Sequence, residues 1–324
     1  MPVKALSQIQ LATESPWGTA VTPTVVLMGV EKDFAVLSDN KSEVFDDVRN
    51  SLAGSPLAGL EQIAGKGKYN LLCTYEDAPY VFDNAFGQAS PSGTGPYTRA
   101  YTGATSAQPT IRPWTLIDGN SQTGGPVRTA TGVLVNTVKM SGATGKATMV
   151  SGDLLSKVVD TSKSLQALSA RTVQVVMGLW SLYIDNWGGT IGTTAVAASM
   201  VAWDLNINLN RMLTYSQDSL TPDGWEQKET TATLALTLRY NATVKTLVDA
   251  LVTQTDVLQK QIRLKNTSGT KSFQIDFAGT ITNNPETKED NGLLATTIEL
   301  TKTYNTGLAN WFAASIVNGV AVLP

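Results

Sequence analysis

The sequence contains no histidine. That excludes a Ser-His-Asp triad, a Cys-His pair and any imidazole metal ligand. It contains one cysteine, Cys73, so no disulfide can close within the chain, which fits folding in a reducing compartment. Charge is scarce at 16% of residues, and 24 basic against 27 acidic residues leave a net of −3. No block of like charge appears, so the chain offers no basic patch to grip nucleic acid. Long apolar runs are also missing; none approaches the roughly 20 residues of a membrane span. The opening Met1-Pro2-Val3-Lys4 has no apolar leader segment, so no signal peptide is expected.

What is present is period-two alternation. The 324 residues are 42% hydrophobic, enough for one large or two ordinary packed domains. Thr233-Leu234-Ala235-Leu236-Thr237-Leu238-Arg239 puts three leucines on one face. Asp204-Leu205-Asn206-Ile207-Asn208-Leu209-Asn210 alternates without a fault. Gln261-Ile262-Arg263-Leu264-Lys265 and Phe273-Gln274-Ile275-Asp276-Phe277 flank the polar, glycine-containing stretch 266–271, a hairpin signal. Two short helices interrupt the strands. Asn241 caps the first, with Val244, Leu247, Val248 and Leu251 on one stripe. Asp77 opens the other, with Pro79 in its first turn and Gly87 at its end.

Residues 68–87 and 232–252 share an order: strand, polar corner, apolar helix. A long connection precedes each, 38–66 and 216–230, and alternating strands follow each. The expectation is a mainly β fold of two tandem β-sandwich or barrel domains, 1–165 and 166–324, each with a short flanking helix. The competing reading is one large β-sandwich with irregular loops.

Five segments belong together. They are Glu14-Ser15-Pro16-Trp17-Gly18-Thr19-Ala20-Val21-Thr22-Pro23, then Gly29-Val30-Glu31-Lys32-Asp33-Phe34, and Gly67-Lys68-Tyr69-Asn70-Leu71-Leu72-Cys73-Thr74-Tyr75 running on to Asn84-Ala85-Phe86-Gly87. Gly132-Val133-Leu134-Val135-Asn136-Thr137-Val138-Lys139-Met140 and 233–240 complete the set. The set resembles the tail tube proteins of long-tailed bacteriophages. It covers most of the chain as a pattern, with no single diagnostic motif. It implies a structural subunit of the virion tail, assembled in the host cytoplasm, whose rings stack around a channel for DNA. This chain is about twice the length of a single-domain member, so the resemblance implies trimeric, pseudo-hexameric rings, with true hexamers as the alternative. Implied partners are further copies of the chain and other tail proteins (tape measure, terminator, and baseplate or tip). DNA would be passing cargo.

Long connections rich in apolar residues point to burial against a partner. Candidate inter-ring contacts are Phe45, Val48, Leu52 and Leu57 in 38–66, and Leu220 and Trp225 in 216–230. A rival reading makes part of 38–66 a helix, with Asn40 and Glu43 as a capping box. The terminal segments 3–23 and 308–324 read as further arms. Neither catalytic residues, nor a cofactor, nor a metal site is expected. Ser141-Gly142-Ala143-Thr144-Gly145-Lys146-Ala147 has the wrong spacing for a phosphate loop and reads as a hairpin turn. The acidic pairs Asp46-Asp47, Glu76-Asp77 and Glu289-Asp290 keep a carboxylate hydrolase in view. Trp17, Trp187 and Trp225 keep a carbohydrate-binding module in view, and a capsid decoration protein is a further variant.

Overall fold

A computed structural model describes residues 6–31, 33–44, 58–161, 163–197, 199–253, 258–283, 285–290 and 292–323. The first half runs β1 (Ser7–Thr13), β2 (Val25–Val26), β3 (Ala35–Ser38), β4 (Lys41–Val44), β5 (Ala58–Gln62), β6 (Gly65–Leu72), α1 (Ala78–Phe86), β7 (Tyr97–Thr102), β8 (Trp114–Asn120), β9 (Val127–Val135), β10 (Thr137–Ala143), β11 (Met149–Ser156) and β12 (Val158–Asp160). The second runs β13 (Trp180–Asn186), β14 (Met200–Asn208), β15 (Arg211–Thr214), β16 (Gly224–Gln227), β17 (Thr231–Arg239), α2 (Ala242–Val252), β18 (Gln259–Ser268), β19 (Lys271–Ile281), β20 (Thr287–Asp290), β21 (Leu293–Lys302) and β22 (Phe312–Asn318). The fold is mainly β, with 52% of residues in strands and 7% in helices.

Alternation sets these strands. In β17 Ala232, Leu234, Leu236 and Leu238 are buried, and the residues between them face out. In β14 Trp203, Leu205 and Ile207 point inward, while Asp204 and Asn206 are exposed. Helix α2 forms because Asn241 accepts a hydrogen bond from Val244 N and its stripe Val244, Val248 and Leu251 is buried. Asp77 does not cap α1 in that way; its carboxylate instead takes Met28 N at 3.0 Å and the Arg171 guanidinium.

The two halves repeat one pairing scheme. The hairpin β8–β9 corresponds to β18–β19, and the outer pairs β1–β8 and β12–β9 to β13–β18 and β22–β19. The short ladders β9–β11 and β10–β11 correspond to β19–β21 and β20–β21. The series β3–β6–β11 corresponds to β14–β17–β21, and the stray hairpin β4–β5 to β15–β16. β2 is matched only by an isolated bridge between Ala195 and Tyr183, and β7 has no counterpart among the described residues. The scheme spans 7–160 and then 180–318, so the second set of strands opens a little beyond the boundary read at 165.

Two seams join the halves. β10 pairs antiparallel with β14, from Thr137 opposite Asn208 to Ala143 opposite Ala202. β7 pairs with β22, from Tyr97 opposite Asn318 to Thr102 opposite Ala313. The first seam makes a continuous run, β3-β6-β11-β10-β14-β17-β21-β20. Beneath it one hydrophobic core crosses the seam: Phe82 meets Phe273 edge-on at 5.5 Å, and Phe86 stacks on Phe312 at 4.7 Å.

Within the described residues, the segments expected as terminal arms each hold a strand of the fold. Residues 7–13 are β1, paired with both β8 and β2. Residues 312–318 are an interior strand between β19 and β7, because Phe312, Ala314 and Ile316 alternate into the core. The helix reading of 38–66 fails at its start, since Lys41–Val44 is a strand paired with Ala58–Gln62.

Candidate assembly interface

Three features stand away from the core. They are the two stray hairpins, the two ends of the eight-strand run, and the outer face of that run.

The hairpin β15–β16 is anchored by Arg211, its first residue. The guanidinium is buried and donates to Asn84 O (2.8 Å), Ala85 O (2.7 Å) and Val135 O (2.8 Å). Asn84 and Ala85 lie in the last turn of α1, whose carbonyls have no intrahelical donors and carry the negative end of the helix dipole. α1 has no basic residue of its own there. A cation from the second half thus closes a helix of the first. Burial pushes the Arg211 pKa down to about 9, which leaves it charged at neutral pH. No motif marks this residue in the sequence. Its role depends on a helix 127 positions away.

Trp225 lies on β16 with its ring under the Arg211 guanidinium, 5.1 Å away, so one face is already used. Leu220 is 45% exposed, and its carbonyl accepts from Ile63 N at 2.8 Å. The two long connections therefore touch at the base of the first hairpin. Phe45, Val48, Leu52 and Leu57 lie outside the described residues, as do Asp46 and Asp47.

At the ends of the run, β3 pairs only with β6 and β20 only with β21 among the described strands. Each has one backbone edge that continues into no strand. The outer face of the run carries mostly small or polar side chains, Asn70, Ser141, Ser151, Asn206, Thr233 and Thr297 among them, with Leu37, Met149 and Leu155 as apolar exceptions. Lys66, Lys68, Lys139, Arg239 and Lys288 are interspersed with Asp153, Asp204 and Glu299 there.

The remaining polar groups serve the fold. Glu76 accepts from Gln174 N at 2.8 Å and pairs with Lys271 across the halves. Asp83 accepts from Tyr101 Oη at 2.9 Å, and burial raises its pKa. Cys73 is buried, and burial pushes its thiol far above the ordinary range, away from the reactive thiolate. Asp276 and Arg263 face each other across the β18–β19 hairpin in a two-pronged pair at 2.7 and 2.8 Å. Among the described residues no three His, Cys, Asp or Glu side chains cluster closely enough to hold a metal. No described helix is long and apolar enough to cross a membrane.

No protein-family model matches the chain, and no curated protein does either.

Proposed function

We propose that this chain is the repeated subunit of a phage tail tube, forming stacked rings around a channel for DNA. The observation that carries the reading is the eight-strand run. Two like halves are already joined edge to edge within one chain, and the run ends in two open edges. A sheet of that kind can serve as a segment of a ring, and head-to-tail addition of copies closes when the turn per copy divides a full circle without a rise. Unpaired edges are otherwise a liability that monomeric proteins cover. With two halves per chain, three chains give six units per ring.

The outer face of the run suits a channel wall. Its basic side chains are spread out and interleaved with carboxylates and short polar groups, so duplex DNA finds no continuous basic patch to hold it. The hairpins β4–β5 and β15–β16 leave the sheet side by side and are the parts that reach the adjacent ring, with Leu220 at their junction. A carbohydrate-binding module draws less support. Stacking on a sugar needs a free aromatic face; at two of the three candidate tryptophans a cation takes one face, Lys157 at 5.2 Å over Trp17 and Arg211 over Trp225, and the third, Trp187, is half-buried. Purified protein imaged by negative-stain electron microscopy tests the proposal. Hollow rings or tubes whose average shows three repeats of two similar lobes are expected. Monodisperse monomers at high concentration would overturn it.

A further inference from the structure

The repeat fixes which strands meet between chains, and in what register. Leu154 of β11 lies opposite Gly67 of β6, and Gly67 opposite Val36 of β3. In the second half Leu300 lies opposite Leu234, and Leu234 opposite Leu205. The ladders Leu154 with Val135 and Leu300 with Ile281 make Leu154 and Leu300 equivalent. The starts of the outer pairs agree: Val158 opposite Thr131, and Phe312 opposite Phe277. Val36 therefore occupies the place of Leu205. By the same ladders Val150 faces Met140 and Thr296 faces Thr287, so Thr287 occupies the place of Met140. Inside the chain Met140 faces Leu205.

We infer that the partner of the β20 edge is the β3 edge of a second copy of this chain, antiparallel, with Thr287 opposite Val36. Backbone direction at both edges agrees. Asp39 N donates to Ala64 O, which turns the odd residues of this stretch toward β6 and leaves Val36 N–H and C=O facing out. Tyr240 N donates to Leu294 O, so Ala295 faces β20, Lys288 faces back, and Thr287 faces out. Val36 is buried in the single chain and its carbonyl meets Arg128 Nη1 at 3.4 Å, so the Arg128 side chain must swing aside before a partner strand can pair there. Lys41 opens β4 as Arg211 opens β15, so it comes to the C-terminal end of the neighbour's α2. The inference rests on the self-assembly reading, but names an edge and a register that reading leaves open.

Cross-linking tests it. Glu286 and Leu37 fall opposite each other as a pair without mutual backbone hydrogen bonds, where Cα atoms approach to about 4.5 Å, within reach of a disulfide. Both side chains are exposed. The double variant Glu286→Cys, Leu37→Cys is expected to give denaturant-resistant dimers and higher multiples on mild oxidation. The two-residue shift Lys288→Cys, Leu37→Cys is expected to give at least tenfold less. A second variant, Thr287→Pro, removes only an outward N–H, so it should keep the wild-type circular dichroism and melting temperature and lose the rings. Rings in wild-type micrographs with no cross-link in the first pair, or equal cross-linking in both pairs, would overturn this register and leave the tube reading standing. Wild-type protein that stays monomeric at every concentration would sink both.

Discussion

Helices α1 and α2 follow equivalent strands, yet they live in different surroundings. Every residue of α1 is buried, whereas only Val244, Val248 and Leu251 of α2 are. Both helices turn an apolar stripe onto their own half. The other face of α1 meets the second half, through Phe82 on Phe273 and Phe86 on Phe312. The other face of α2 carries Lys245, Thr246 and Asp249, with an ion pair between Lys245 and Asp249. A helix at an inner seam has become aromatic, and its twin at the outer end has stayed polar. The difference shows that the seam, more than the repeat itself, decides what each copy of the motif must carry.

The comparison breaks most sharply at Arg211. Changing Arg211→Met strands three buried carbonyls and should cost about 3–5 kcal/mol, read as a lower denaturation midpoint. Lys41→Met, at the matching hairpin of the first half, should leave the midpoint unchanged while weakening ring formation. Equal losses from both would mean that the first hairpin already has a partner within its own chain.

A comparable effect is expected at the helices. Phe82→Ala should cost about 3–5 kcal/mol by opening a cavity across the seam. Thr246→Ala on α2 should stay within about 0.5 kcal/mol, as at most exposed positions.

The smallest effect concerns pH, and its sign should differ between halves. Glu14 accepts from Thr115 Oγ1 (2.7 Å), Gly132 N (2.8 Å) and Gly18 N (2.7 Å), but burial outweighs these bonds and raises its pKa. At Asp185 burial also pushes upward, but hydrogen bonds from Thr193, Thr194 and Gly192 win, and the pKa is lowered. A raised carboxyl favours the fold as pH falls through its raised value; a lowered one contributes above the ordinary value and loses its contribution as pH falls. Melting curves from pH 7 down to about pH 3 should therefore show the deficit of Glu14→Gln growing on acidification and that of Asp185→Asn shrinking. Parallel curves would show that neither carboxyl differs from its unfolded value.

Much of this fold was legible where a strand has one wet face. The alternation in 204–210, 233–239 and 261–277 marks β14, β17 and the β18–β19 hairpin: β14 and β17 show solvent one side chain in two, while in β18–β19 the polar row of Gln261, Arg263 and Asp276 is itself largely covered. The stretch 141–147 reads as a hairpin turn and is one, between β10 and β11. The likeness of the halves showed in element order, and the ladders give it residue by residue. The terminal strands misled because Trp311, Phe312 and Ile316 look the same whether they dock on a neighbour or on their own core. The residues of the proposed assembly were least legible. Leu220 and Trp225 stood out as apolar residues in a loop, but Arg211, β3 and β20 matter through pairings that no local pattern encodes.

β7 belongs to one half only. In a chain of two like halves, that strand decides which joint yields first. The inner joint has two ladders and a buried cation; an outer joint of the β20–β3 kind has one short ladder. In the proposed ring, pulling or dilution would therefore open the outer joints first and release whole chains with their inner joint still shut.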